Sequence, residues 1–312
     1  TAVFATLFLV GCGDGIDLPG VNVETDLNKI PLPDNNVNLE QVELKPSTEP
    51  MLHEGLHTEE DFQRIRDKKA AGEEPWVSAY QLLVESQFSQ KTADTYPTEW
   101  IKRGVSGDEN YMNAARGATI AYQQALRWKI EQDDEYAAKA VENLNKWVQT
   151  CVGVTGNTNL SLAAGLYGYE FAIAGELLRD YGGWDRADFA AFQNWLLKVF
   201  YPANDDFLKR HHDTNALHYW ANWCLCNIAA KMAIGIVTDR RDIYNEGIDH
   251  LQTGDTNGRL RRAIYHDYAP DYNFAQWQES GRDQGHTLMC VGLMGVICQL
   301  AWSQGDDFFA YD

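Results

Sequence analysis

The stretch ESGRDQGHT, residues 279–287, gathers Glu279, Arg282, Asp283, Gln284 and His286 directly ahead of the almost wholly apolar run LMCVGLMGVICQLAW. On a helix, Glu279, Arg282 and His286 fall at i, i+3 and i+7 and share one face. A guanidinium there can grip an anion and an imidazole can move a proton. The plain alternative is a solvated first turn in which Arg282 only pairs with Glu279. Gly281 and Gly285 would cost such a helix about 1 kcal/mol each against alanine, which favours a backbone that something approaches closely. A second cluster, KRHHDTNALHYWANW from residue 209, sets Asn215, His218, Tyr219, Trp220 and Trp223 ahead of another apolar run, with Asp213 or Thr214 available as a cap. His218 is either a proton acceptor or a core histidine bonded to a carbonyl, and the tryptophans either grip a ligand or fill the core. The loop YHDYAPDYNFAQW adds Tyr265, Tyr268 and Tyr272 as candidate proton donors, Tyr272 standing closest in sequence to Arg282. Asn159, in TGNTNLSLAAG, is a helix N-cap or a ligand contact.

The elements that must position these groups read as helices. Thr58 with acidic residues behind it starts one that closes at Gly72, and Pro75 starts the next, through about residue 87. Further segments fit 109–131, 135–150, 159–180, 185–199, 215–236, 240–252 and 276–303. Tyr111, Ala115, Ala118, Tyr122 and Ala125 carry the spacing of a buried stripe. No segment alternates with period two over a useful length. Helices joined by short connectors imply an all-α array of antiparallel hairpins, and the lack of a fixed repeat favours an α/α toroid over a solenoid. In a toroid the starts of helices 215–236 and 276–303 would both face one cleft.

Composition narrows the partners. A chain of 312 residues with 10 Trp, 15 Tyr and 12 Phe has aromatic surface to spare for sugars, and a formal charge of −19 excludes a general nucleic-acid binder. Six of the eight histidines lie between His211 and His286, beside Lys209, Arg210, Arg259, Arg261, Arg262 and Arg282. A locally cationic cleft in an acidic body suits an anionic substrate. Cys151, Cys224, Cys226, Cys290 and Cys298 lack metal-type spacing and read as small buried hydrophobes. At the other end, TAVFATLFLVGC reads as the last part of a lipoprotein signal, with lipid expected on Cys12. The expected organisation is a signal segment over 1–11, a flexible tether over 12–50 and a helical domain over 51–312, exported and held at a periplasmic or outer membrane only through the Cys12 lipid.

Four motifs carry a family resemblance. TNALHYWANW resembles the signature of α/α-toroid alginate lyases, and MLHEGLHTEEDFQRIR, NLSLAAGLYGYEFA and WQESGRDQGH are similar to other parts of that superfamily. The chain most resembles polysaccharide lyase family 38, and also the family 5 alginate lyases, over roughly residues 51–312. The family usually continues past the motif DDFFAYD, so further helix is expected beyond Asp312. The resemblance implies β-elimination on a polyuronate such as alginate or glucuronan: donors neutralise the carboxylate beside C5, a base takes the C5 proton, and an acid protonates O4. No metal or organic cofactor enters this chemistry. Carried over residue by residue, Asn215 and Arg282 neutralise the carboxylate, and Tyr219, Trp220 and Trp223 match the aromatic positions; the placement of the residues themselves adds His218 or His286 as the base and Tyr272 as the acid, with Asn159, Tyr219, Trp220, Tyr268 and Glu279 against the substrate. Two positions depart from the family pattern: Leu217 stands where a catalytic histidine is usual, and Met289 where a tyrosine is usual. The competing expectations are a toroidal glycoside hydrolase using carboxylates such as Asp267, Asp271, Glu279 and Asp283, and a lipid-anchored glycan-binding protein without catalysis.

Overall fold

Helix starts are set by side chains the sequence supplies. In the computed structural model, which describes residues 47–310 apart from 269 and 273, Thr58 caps α1 (Glu59–Ala70) through a reciprocal pair with Asp61. Asp133 caps α4 (Asp134–Thr150), and Asp185 caps α6 (Arg186–Val199). Between and after them run α2 (Trp76–Glu85), α3 (Tyr111–Glu131), α5 (Leu160–Leu177), α7 (Tyr201–Arg210), α8 (Ala221–Val237), α9 (Arg241–Thr253), the short α10 (Leu260–Ala263) and α11 (Gln284–Ser303). Cys12 and the expected signal segment and tether up to residue 46 lie outside the described residues.

The helices form two layers. α3, α5, α8 and α11 pack side by side in that order, while α4 covers α3, α6 and α7 cover α5, and α9 covers α8. This is an α/α toroid, as the helical periodicity predicts. Inner position shows in burial: every residue of α8 but Trp223 is buried, and every residue of α5 from Ser161 to Leu177 but Leu166. Close crossing demands a small residue, because a Cβ on Gly165 of α5 would stand 2.5 Å from the Cys226 sulfur of α8. Of the expected stripe, Ala115, Ala118, Tyr122 and Ala125 are buried and Tyr111 is half-buried against the core. Much of the aromatic complement is core rather than groove: Trp195 packs edge to face on Phe171 and Phe200, as Trp184 does with Phe189, and Trp147 lies tilted against Phe171. All five described cysteines are buried free thiols.

Three features depart from the sequence reading. α7, with Pro202 in its first turn, is a helix that the sequence reading did not include, and it buries Asn204, Phe207 and Leu208 on one face. Among the described residues there are four short strands: β1 (Trp100–Arg103) pairs in parallel with β2 (Gly153–Gly156), and β3 (Ile264–Asp267) pairs antiparallel with β4 (Ala275–Trp277). Finally, α8 begins at Ala221 rather than 215, and α11 at Gln284 rather than 276. The polar clusters are therefore shaped turns in front of the helices, not their first turns.

Candidate functional site

His211, His212 and Asp213 all have positive φ, at 48°, 51° and 59°. Three successive non-glycine residues in the left-handed region cost on the order of 1–2 kcal/mol each, so the surroundings must hold them. His212 Nε2 lies 2.9 Å from Ser161 Oγ, the Thr214 hydroxyl donates to the His211 carbonyl at 2.6 Å, and the His211 ring packs 4.8 Å from that of Phe207. Burial keeps His211 below the usual imidazole range, aided by the neighbouring His212. The chain then turns again, with Asn215 Oδ1 accepting from the Leu217 N–H at 2.9 Å. These two turns replace the expected helix, and neither Asp213 nor Thr214 caps α8; Trp220 occupies the cap position without a side-chain bond.

Two buried amides hold this segment against the second cluster. Asn257 Nδ2 donates to the carbonyls of Leu217, at 3.0 Å, and Tyr219, at 2.8 Å. Gln278 Nε2 donates to Asn257 Oδ1 at 3.0 Å, while Gln278 Oε1 accepts from the Ala221 N–H at 3.1 Å. The start of α8 is thus fastened to the residue directly preceding Glu279. The sequence reading missed both amides, which have no local signal; only their distant partners give them meaning.

Glu279 departs from helical geometry, with φ of 63°, so Glu279, Arg282 and His286 do not form one helical face. Its side chain is 1% exposed and its Oε1 accepts from Arg282 Nη1 at 2.9 Å, whereas the Arg282 side chain is 53% exposed. The other oxygen faces the Cys290 thiol at 3.9 Å. Asp283 caps α11 by accepting from the His286 N–H at 2.8 Å, and its second oxygen lies 2.7 Å from His286 Nδ1. The His286 N–H bond is the main cause that holds the Asp283 carboxyl below its usual range. A carboxylate at Nδ1 fixes the ring proton there and leaves Nε2 as an acceptor. Gly281 has nothing within 4 Å of a notional Cβ, so the turn faces open space.

The remaining candidates are less tightly held. His218 is exposed and its ring meets Tyr219 edge-on at 4.9 Å. Tyr219 is buried, 4.6 Å from Trp223, and Trp220 is exposed. Tyr268 donates to Gln276 Oε1 at 3.1 Å; Tyr272, 60% exposed, packs on Phe274 at the tip of the β3–β4 hairpin that leads into the Glu279 turn. Asn159 sits at the cap position of α5 but does not cap it; its N–H and Nδ2 both donate to Asn157 Oδ1 at 2.9 Å. Among the described residues no group of three or more His, Cys, Asp or Glu is placed to hold a metal.

A cation beside a buried carboxylate and an imidazole oriented by a second carboxylate can together bind an anionic sugar and move protons on it. Comparison with known proteins bears on which sugar. The family model described as alginate lyase matches residues 65–312. Of the solved structures, alginate lyase A1-III from Sphingomonas species A1 is similar with a TM-score of 0.57 and 13% identity, over 84% of this chain and 74% of that one. A tyrosine-to-phenylalanine variant of alginate lyase A1-III, complexed with a tetrasaccharide, matches with a TM-score of 0.58 and 14% identity over the same shares. No curated protein matches.

Proposed function

We propose that this chain, which belongs to the alginate lyase family and is a polysaccharide lyase, cleaves alginate by β-elimination at the site formed by the turns before α8 and α11. The observation that carries the site assignment is the Asp283–His286 contact at 2.7 Å beside the Arg282–Glu279 pair. Arg282, with exposed nitrogens, and the free Nδ2 of Asn215 donate to the uronate carboxylate, so negative charge developing at C5 spreads into a neutralised group. His286 Nε2 accepts the C5 proton, and Asp283 stabilises the imidazolium that forms. The C4–O4 bond then breaks, leaving a C4=C5 double bond on the sugar beyond the cut, while the Tyr272 hydroxyl donates a proton to O4. His218 lacks an orienting carboxylate and serves as a wall with Tyr219 and Trp220. Glucuronan, another polyuronate with a proton at C5, is the second substrate class.

The test is a polyuronate panel read by ultraviolet absorbance of the unsaturated product. A lyase raises that absorbance in step with new reducing ends. Reducing ends without absorbance would mean hydrolysis by paired carboxylates, and neither signal would mean binding alone.

A further inference from the structure

Arg103 closes β1 on the same inward face as the fully buried Ile101, two residues apart as strand geometry requires. Three arginines are buried among the described residues, Arg103, Arg127 and Arg179. Two are neutralised: Arg127 by Glu131, and Arg179 by Glu176 with Asp239. Arg103 is different. It is 8% exposed, has no ion pair among the described residues, and its Nη1 is buried without a hydrogen-bond acceptor. Its guanidinium lies 4.6 Å from the centre of the Tyr111 ring, which stacks on Tyr167 at 6.5 Å. A tyrosine face attracts a cation but accepts no in-plane hydrogen bonds from it, so Nη1 stays unsatisfied. A buried, unpaired charge is among the most costly groups a fold can keep.

The position explains why it is kept. Arg103 is backbone-paired with Gly156, at the end of the strand that runs into Asn157, Asn159 and the start of α5. Asn227, near the start of α8, donates through Nδ2 to the Ser161 carbonyl in the first turn of α5 at 3.2 Å, and Gln278, next to Glu279, accepts from the first N–H of α8. Arg103 therefore stands at the same end of α8 as the Glu279–Arg282 pair.

We propose that Arg103 is a carboxylate-binding residue for a uronate other than the one being cleaved, with the Tyr111–Tyr167 stack as its wall. This rests on the polyuronate reading of the site. The fork takes the carboxylate's two oxygens side by side, which an ammonium cannot do. Arg103 thereby selects acidic over neutral sugars and sets register along the chain, without contacting the reacting atoms.

The experiment compares the full chain with Arg103→Met and Arg103→Lys, titrating tryptophan fluorescence with an oligomannuronate and with the same oligomer after carboxyl reduction. Expected for Arg103→Met is at least about thirtyfold weaker binding of the acidic oligomer, unchanged affinity for the reduced one, and a Tm equal to or above wild type because an uncompensated charge is gone. Arg103→Lys should recover part of the affinity. In turnover, KM should rise while kcat stays within about threefold. Equal affinity for the acidic oligomer in Arg103→Met, or a lower Tm with equal weakening toward both oligomers, overturns the proposal and makes Arg103 a structural residue. Binding that depends on Arg103 without any unsaturated product would instead overturn the lyase reading and leave this assignment standing.

Discussion

His286 and His218 were equivalent candidates as residue types, and the partner separates them. Only His286 has a carboxylate on Nδ1; His218 meets only a ring. His286→Ala should lower kcat by about a hundredfold or more, the ordinary size of a general-base contribution, whereas His218→Ala should change it far less. Asp283→Asn keeps a capping side chain but removes the charge, so kcat should fall while the Tm holds; steady-state kinetics on alginate beside thermal melts check both. Should His286→Ala keep near-normal activity while Tyr272→Phe is dead, one tyrosine carries both proton transfers and the base is misassigned. Arg282→Ala should remove about 3 kcal/mol of transition-state stabilisation, and it also strands the buried Glu279 carboxylate, so its melt must accompany the rate. The polar types at 279–286 and 215–220 were legible because they crowd ahead of apolar runs. Arg103 was not, since a single arginine after WIK gives no sign that it is buried without a partner.

Helices were legible from period and caps, down to Thr58 with its acidic first turn and the α3 stripe. What failed were the two starts nearest the site, and the cause is long-range. Asn257 and Gln278 satisfy backbone groups at 217, 219 and 221, which frees that segment from helical bonding and lets it turn. No local propensity encodes a bond from a residue some forty positions away. Replacing Gln278 by leucine leaves the Ala221 N–H and Asn257 Oδ1 unpaired inside the protein, and each such group costs about 1–3 kcal/mol. Chemical denaturation should show that loss for Gln278→Leu, with kcat/KM falling because the α8 start is no longer fastened to the Glu279 turn. An unchanged midpoint and unchanged activity would show that the two turns are held independently.

Across the whole molecule, buried titratable groups set where the fold is most stable. Burial raises the Glu170 carboxyl on α5 from 4.5 to about 8. The unfolded chain releases that proton first, so stability falls as pH rises across this window, by up to about 1.4 kcal/mol per unit. Burial also lowers His57 and His250 from 6.5 to about 4; there the unfolded chain takes up protons first, and stability falls as pH drops below 6.5. Burial also lowers His211 and raises Glu176, so histidines losing stability on the acid side against carboxyls losing it on the alkaline side place the maximum near pH 6.5, and Glu170→Gln should flatten the alkaline limb in calorimetry. A wild-type Tm still climbing from pH 6.5 to 8 would contradict this. The proposed lipid on Cys12 predicts that Cys12→Ala moves the protein out of the membrane fraction, with equal retention counting against it. The toroid was legible because helical periods recur along the chain with short connectors and α5 and α8 are apolar nearly throughout; the identity of the sugar was not, because it depends on how side chains from distant turns meet. The most direct test of the central claim is the absorbance of unsaturated uronate when the protein is mixed with alginate. A rise is expected that tracks reducing ends one for one and falls about a hundredfold in His286→Ala. Reducing ends accumulating with no such rise would contradict it.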